Sequence, residues 1–197
     1  MKNYQLFPKN HKALTFAKGI NQLKDAGYKR PLSFDEVIKA RVDEYSSGNK
    51  KLFNYRIDTC TGTFYKGGSD LVKLVRIDPS LIDIDENFTD AFIKQAYSKF
   101  DGFEIIRSKA KYNQFLTKNE VLDHPVWNWL VPDKNLLKYY SEIIFSYKDD
   151  FQKSMGIWLR KNKEYTTSRA MFVDDIYNDS VAYCINYLFD NARFLVN

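Results

Sequence analysis

The chain has 197 residues, of which 44% are hydrophobic and 28% charged, with a net charge of +5. This composition is typical of a compact globular protein and excludes intrinsic disorder and collagen-like repetition. No apolar run approaches the roughly 18–20 residues needed to span a bilayer, and the first residues lack the apolar region of a signal peptide. We therefore expect no membrane insertion.

The first third of the chain predicts two helices. Pro8 is placed to open a helix that runs to Leu23, with Gly27 just past its end. Ser33 and Glu36 have the spacing of a capping box, which predicts the start of a second helix.

From Phe53 onwards the pattern changes to short alternating segments that predict a sheet. Residues 63–66 and 71–77 flank Gly67-Gly68, which predicts a hairpin whose turn needs a positive φ. Residues 103–106 are predicted to add a strand.

Two further helices are predicted beyond this sheet. Thr117 and Glu120 repeat the capping-box spacing, and apolar residues at helical spacing predict a helix from Pro132 to about Tyr147. No internal repeat or low-complexity linker divides the chain. We therefore predict one α+β domain over residues 1–197, with N-terminal helices followed by a mixed sheet and long irregular segments.

Few residues are suited to catalysis or metal binding. The two histidines, His11 and His124, have no second ligand at metal spacing, so we expect no metal and no other cofactor. Cys60 is the first candidate for a nucleophile if the protein is an enzyme, but a small buried thiol in a strand-rich segment is the favoured interpretation. We predict a protein without enzymatic activity.

Positive charge is concentrated at the start of the chain, where residues 1–76 sum to +8. Clustered Lys and Arg bind phosphate backbones, so one alternative is a small basic accessory protein that binds nucleic acid. The basic residues are mostly single lysines, which is also typical of an ordinary solvated surface. We therefore do not expect a nucleic-acid partner.

The strongest signal is an omission in residues 172–197, named here the C-terminal window. Lys, Glu, Gln, Met and Trp together make up about a fifth of the chain, yet none occurs after Met171. Every residue type present in the window has a codon that ends in a pyrimidine, and the five missing types have none. This pattern indicates templated codon variation.

The window resembles the variable proteins of diversity-generating retroelements, most closely the archaeal ones. In that family, adenine-directed mutagenesis of AAY codons yields the same restricted alphabet in a C-terminal segment. Residues 168–173, 178–183 and 191–196 look like fixed scaffold interrupted by variable positions. The resemblance implies a C-type-lectin-like domain that binds a ligand, either a protein or another cell-surface molecule. From the lack of a signal peptide or membrane-spanning segment in the sequence, we expect a cytoplasmic or virion-associated location.

The window is rich in tyrosine and asparagine, which are frequent in adaptable binding surfaces. The resemblance implies that its variable positions contact the ligand. The predicted ligand-binding residues are Val173, Asp174, Asp175, Ile176, Tyr177, Asn178, Val181, Tyr183, Cys184, Ile185, Asn186, Tyr187, Phe189, Asp190 and Asn191.

A different structure for the window remains open from the sequence. Val173, Ile176, Tyr177 and later apolar residues have i, i+3, i+4 spacing, which favours an amphipathic C-terminal helix. Many Asp and Asn residues would then lie inside that helix, although both are poor interior helix formers.

Overall fold

The computed structural model describes residues 4–7, 16–76, 102–109, 111–147, 154–159, 167–176, 181–184 and 193–196. The helices within these ranges are α1 (Phe16–Asp25), α2 (Phe34–Ser46), α3 (Lys118–Asp123), α4 (Pro125–Leu130) and α5 (Lys134–Ser146). Two short 3-10 helices span Lys51–Asn54 and Arg107–Lys109.

The strands are distributed along the whole chain. In chain order they are β1 (Gln5–Phe7), β2 (Ile57–Tyr65), β3 (Leu71–Arg76), β4 (Gly102–Ile106), β5 (Phe115–Leu116), β6 (Ser154–Leu159), β7 (Thr167–Val173), β8 (Ala182–Cys184) and β9 (Phe194–Val196). The predicted α+β class is therefore confirmed.

Both predicted capping boxes form. Glu36 Oε2 accepts the backbone N–H of Ser33 at 2.7 Å, and Glu120 Oε2 accepts that of Thr117 at 2.8 Å. These contacts satisfy donors that the first turn of each helix would otherwise leave unpaired. Helix α5 begins two residues after Pro132, because Asp133 caps it instead.

The other local predictions are also confirmed where the structure describes them. Gly27 follows the end of α1 and has a positive φ of 84°. Residues 8–15, the start of the predicted first helix, lie outside the described residues. Strands β2 and β3 form the predicted hairpin, and Gly68 supplies its positive φ of 69°. Strand β4 matches the strand predicted at 103–106.

The nine strands of the described ranges form one sheet in which distant parts of the chain are neighbours. Its order is β1-β9-β2-β7-β8-β6-β5, and β3 and β4 extend it from β2. Strand β8 lies between β7, to which it is antiparallel, and β6, to which it is parallel. Strand β9 lies between β1 and β2, so both described strands of the C-terminal window are interior strands.

The sheet is buried on both faces at its centre, since every residue of β2 is buried. One face packs against α2, α4 and α5 in the main core, with Ile57, Met171, Val173 and Ala182 among the sheet residues. On the opposite face α1 approaches so closely that a Cβ on Gly19 would lie 2.5 Å from the Phe194 ring. The two strands of the window are therefore held by packing as well as by backbone pairing.

His124 begins α4, and its burial predicts that the stability of the fold depends on pH. Its Nδ1 accepts the backbone N–H of Val126 at 3.3 Å, and burial lowers its pKa, although the Lys111 backbone and the Glu120 carboxylate oppose this shift. A histidine with a lowered folded pKa binds fewer protons than its unfolded form below pH about 6.5. We expect the free energy of unfolding to decrease as the pH falls through that region.

The measurement is urea unfolding of the wild type and His124→Asn between pH about 5 and 8, the range in which histidine titrates. Asparagine is a good helix cap without a titrating proton, so the variant should lose part of the pH dependence. Equal slopes of unfolding free energy against pH in the two proteins would contradict the expectation.

Candidate contact surface in the C-terminal window

The C-terminal window enters the sheet through β7 and leaves it through β9, and β2 contacts both ends. Asp58 of β2 is in register with Phe172 on one side and Phe194 on the other. Its neighbour Ile57 is in register with Val173. The start of β2 is therefore the place where the two ends of the window meet.

Backbone atoms make several of the contacts that hold these ends. The Asp58 N–H donates to the Arg193 carbonyl at 2.7 Å, and the Arg193 N–H donates to Asp58 Oδ2 at 2.9 Å. The Leu32 N–H donates to the Leu195 carbonyl, and the Asp174 N–H to the Val181 carbonyl, both at 3.0 Å. Each bond uses a backbone group of the window, so it does not require a particular side chain there.

Side chains from residues before the window also contact side chains and a backbone carbonyl of the window. The Arg56 guanidinium lies 3.6 Å from the centre of the Phe172 ring, and the Arg193 guanidinium lies 4.8 Å from that of Tyr55. Arg41, which is fully buried on α2, donates to the Val173 carbonyl at 3.5 Å. These cation contacts fix both ends of the window against β2 and the segment before it.

Asp174 is the buried acidic residue at the start of the window. Burial raises the pKa of its carboxyl, and the neighbouring charge of Asp175 acts in the same direction. The Asp175 N–H donates to Asp174 Oδ1 at 3.0 Å, and this bond, with the nearby charges of Arg56 and Arg41, opposes the shift. The Asp174 carboxylate thus accepts the N–H of the next residue directly after the end of β7.

The burial of four predicted ligand-binding residues corrects the sequence prediction. Val173 and Val181 are 0% and 1% exposed, and Asp174 and Ile176 are each 8% exposed. Side chains with so little exposed surface offer little contact to a ligand while the fold is intact, so burial argues against a contact role for these four residues. The apolar spacing at Val173 and Ile176 reflects core packing rather than a contact face.

The remaining predicted residues stay predictions. Asp175 is half-buried, while Tyr183 and Cys184 lie in β8 between β6 and β7. The others lie outside the described residues; they are Tyr177, Asn178, Ile185, Asn186, Tyr187, Phe189, Asp190 and Asn191.

The alternative of one continuous C-terminal helix is wrong. Residues 182–184 and 194–196 are strands, and β7 continues to Val173, where such a helix would begin. Sheet pairing at these three places overrides the helical spacing of the apolar residues. The described part of the window therefore contains no amphipathic helix.

Cys60 has the environment of a structural thiol. It is buried in β2, and burial raises its pKa to about 11, although the nearby Arg30 guanidinium opposes this shift. A thiol with so high a pKa carries little of the reactive thiolate at neutral pH. Across the described ranges, no three His, Cys, Asp or Glu side chains converge on a common point, and no helix is both long and apolar enough to cross a membrane.

Comparison with solved structures identifies this architecture. The chain matches a structure from Nanoarchaeota described as showing the accommodation of massive sequence variation by the C-type lectin fold. The TM-score is 0.67, and the match covers 99% of this chain and 97% of that chain at 19% sequence identity. The chain has the C-type lectin fold. No protein-family model and no curated protein matches the sequence.

In this C-type lectin fold, the residues that fix the ends of the window were not predicted from the sequence. Asp58, Arg41 and Arg56 are more than a hundred positions away from the window residues they contact. No local pattern marks them, because their partners are brought close only by the sheet. A buried arginine is also contrary to the usual exposure of that residue type.

Asp58 provides a direct test of how the window is held. In Asp58→Ala the Arg193 N–H loses its buried carboxylate acceptor, and we expect the free energy of unfolding to fall by roughly 1–3 kcal/mol. Urea unfolding and amide exchange at Arg193 measure the effect. Asp58→Asn keeps an oxygen acceptor and should lose less.

The matched control for Asp58 is Asp43→Ala, which removes a half-exposed carboxylate paired with Lys39 on α2. Exposed pairs of this kind are worth about 1 kcal/mol or less. Equal losses in Asp58→Ala and Asp43→Ala would show that Asp58 has no special part in holding the window.

Proposed function

We propose that this protein is a non-enzymatic ligand-binding protein of the diversity-generating retroelement type, whose C-terminal window is a diversified contact surface. The observation that carries the proposal is the restricted residue alphabet of residues 172–197 in a chain with the C-type lectin fold. The matched Nanoarchaeota structure is described as accommodating massive sequence variation in the same fold. The ligand is a protein or another cell-surface molecule.

The way the window is held supports this proposal. Its ends are fixed by interior strands and by hydrogen bonds to backbone groups, which remain when side chains change. Surface substitutions away from such contacts usually change stability by about 0.5 kcal/mol or less. A scaffold built in this way tolerates many sequences between its fixed points.

The corrected contact surface is smaller than the one predicted from the sequence. It excludes Val173, Asp174, Ile176 and Val181, which are buried. The proposed contact residues are Asp175, Tyr177, Asn178, Tyr183, Cys184, Ile185, Asn186, Tyr187, Phe189, Asp190 and Asn191. Tyrosine suits this role because it gives a large contact area at a low cost in conformational entropy.

The first experiment tests diversification in the source DNA. We expect a near-identical copy of the segment encoding the window, close to a reverse-transcriptase gene and differing from the coding copy mainly at adenines. Codons for Val173 and Val181 should vary less than those for Tyr183 and Tyr187. A window without such a copy, with purine-ending codons in other versions of the gene, would overturn the proposal.

The second experiment tests binding directly. A random-peptide library on phage is selected against the full chain, and selected peptides are titrated against a variant with Tyr177→Ser, Tyr183→Ser and Tyr187→Ser. Removing tyrosine anchors should weaken binding by about tenfold or more. The control is Tyr139→Ser on α5, because Tyr139 is 42% exposed and lies outside the window. Equal binding to both variants would count against a contact surface in the window.

A further inference from the structure

His124 is the single residue that joins α3 to α4. Its backbone N–H donates to the Val121 carbonyl at 3.2 Å at the end of α3, while its side chain caps the start of α4. Asn128 fixes the same junction, because its Nδ2 donates to the Leu122 carbonyl at 3.0 Å and to the His124 carbonyl at 3.2 Å. We name residues 121–128 the helix corner.

The cap on α4 defines which nitrogen of neutral His124 carries the proton. Pro125 has no backbone N–H, so the Val126 N–H is the first donor of the helix, and His124 Nδ1 accepts it at 3.3 Å. A neutral imidazole has one proton, and a nitrogen that accepts a hydrogen bond is the one without it. The proton is therefore on Nε2, and a second proton can bind only Nδ1.

A second proton on Nδ1 breaks this cap. The imidazolium Nδ1–H would point at the Val126 N–H, so that two donors face each other where a donor now faces an acceptor. The Val126 N–H would lose its acceptor at a buried residue, where water does not replace it. The helix corner therefore has no place for the charged form of His124 in its present geometry.

The surroundings of His124 offer little compensation for the charge. The residue is 6% exposed, and the Tyr112 ring, from the segment before β5, lies 5.6 Å away at 76°. Among the described residues, the Glu120 carboxylate of α3 and the Lys111 backbone favour the imidazolium, but burial prevails and lowers the pKa. The same carboxylate also binds the Lys111 ammonium and the Thr117 backbone N–H. Its charge is thus already shared with other groups.

Several polar atoms of the helix corner are left unpaired. In the part of the chain that the structure describes, His124 Nε2, Trp127 Nε1 and Asn128 Oδ1 are buried side-chain atoms without a hydrogen-bond partner of normal geometry. Buried unpaired groups cost stability, and water pairs them when the segment opens. We therefore expect the helix corner to open at a lower cost in free energy than the fully buried strand β2.

We propose that the helix corner is a proton-operated hinge, in which a proton on His124 Nδ1 releases the start of α4 from the end of α3. The hinge opens as the pH falls below about 6.5, where histidine ordinarily takes up its second proton. The C-terminal window is held elsewhere, by β2, β6 and β7, so it keeps its strand pairing when the hinge opens. This inference does not depend on the proposed function.

The test is NMR of the full chain between pH about 8 and 5, the range in which histidine titrates. At the upper end, the imidazole nitrogen shifts should show the proton of His124 on Nε2. Amide exchange, corrected for the effect of pH on unfolded amides, should show the protection of the Val126 N–H falling by about fivefold or more, the effect of a lost helix cap. Because the opening is local, this protection should stay below that of the β2 amides at every pH.

Three variants identify the group responsible. His124→Asn caps a helix without a titrating proton, so the protection of the Val126 N–H should change by less than about twofold over the same range. Glu120→Gln keeps the capping box but removes a charge that favours the imidazolium, so the opening should move to lower pH. The matched control is Asp133→Asn, which places the same residue at the cap of α5 and should leave the pH dependence at Val126 unchanged.

Several outcomes would overturn the hinge. A proton on Nδ1 at pH about 8 would do so, as would protonation of His124 without loss of protection at Val126. Equal protection of Val126 and the β2 amides at every pH would show that the proton acts only through global unfolding. Full pH dependence in His124→Asn would assign it to another group. If His124→Asn does not fold, an opening that stays at the same pH in Glu120→Gln overturns the proposal.

Discussion

Replacement of Arg41 by alanine should lower the free energy of unfolding by roughly 3–5 kcal/mol. Arg41 is fully buried, and its Nη1 donates to the Tyr140 hydroxyl at 2.8 Å. Its Nη2 donates to the Tyr55 carbonyl at 2.7 Å and to the Val173 carbonyl at 3.5 Å. The guanidinium also lies 5.6 Å from the centre of the Phe53 ring. Alanine would leave a cavity and several unpaired acceptors in the main core.

The position of Arg41 makes this loss important for the window as well. The side chain joins α2 to α5, to the segment before β2 and to the end of β7, where the window begins. Arg41→Lys keeps a charge but not the planar group that reaches three partners, so its stability should be intermediate. Urea unfolding followed by circular dichroism measures all of these changes.

The matched control for Arg41 is Arg76→Ala. Arg76 is exposed on β3, where it contacts the Trp129 ring and donates to the Trp129 carbonyl at 3.2 Å. Loss of an exposed contact of this kind should cost about 1 kcal/mol or less. If Arg41→Ala is no less stable than Arg76→Ala, then Arg41 does not fix the start of the window.

Val173→Asn should destabilise the protein by roughly 3–5 kcal/mol, because it removes a buried apolar side chain and buries an amide in its place. Asparagine belongs to the restricted alphabet of the window, so this substitution is one that templated variation would generate. Comparing the stability lost at Val173 with that lost at a more exposed position therefore distinguishes a scaffold position from a contact position. Urea unfolding and the yield of folded protein are the readouts.

Asp175→Asn is the control for Val173→Asn, because it introduces the same residue at a half-buried position two residues further on. We expect a change of about 1 kcal/mol or less, as for most substitutions outside the core. If Val173→Asn is as stable as the wild type, then the burial of Val173 no longer argues against its place in the contact surface.

The sequence was sufficient for the parts of the fold that nearby residues determine. Ser33 with Glu36 and Thr117 with Glu120 mark helix starts, because a capping box is completed within four residues. Gly68 marks the hairpin turn for the same reason, since only the turn itself requires its positive φ. The resemblance of the window to a known family added the C-type lectin fold.

The sequence was not sufficient where distant segments decide the outcome. The pairing of β1 with β9 joins Gln5 to Val196, and no local pattern near either residue specifies this partner. The burial of Val173 and Val181 follows from the position of β8 between β6 and β7. Helical spacing in the window was misleading because sheet pairing determines which of its residues lie in the core.

The interior position of β9 has a consequence for chains that end early. A chain that stops within the window lacks β9, so β1 loses its antiparallel partner and β2 loses its contacts with Phe194 and Arg193. Such a chain should fail to complete the sheet and be removed by proteolysis. Folding would then act as a check on chain length, because only chains translated through β9 complete the sheet.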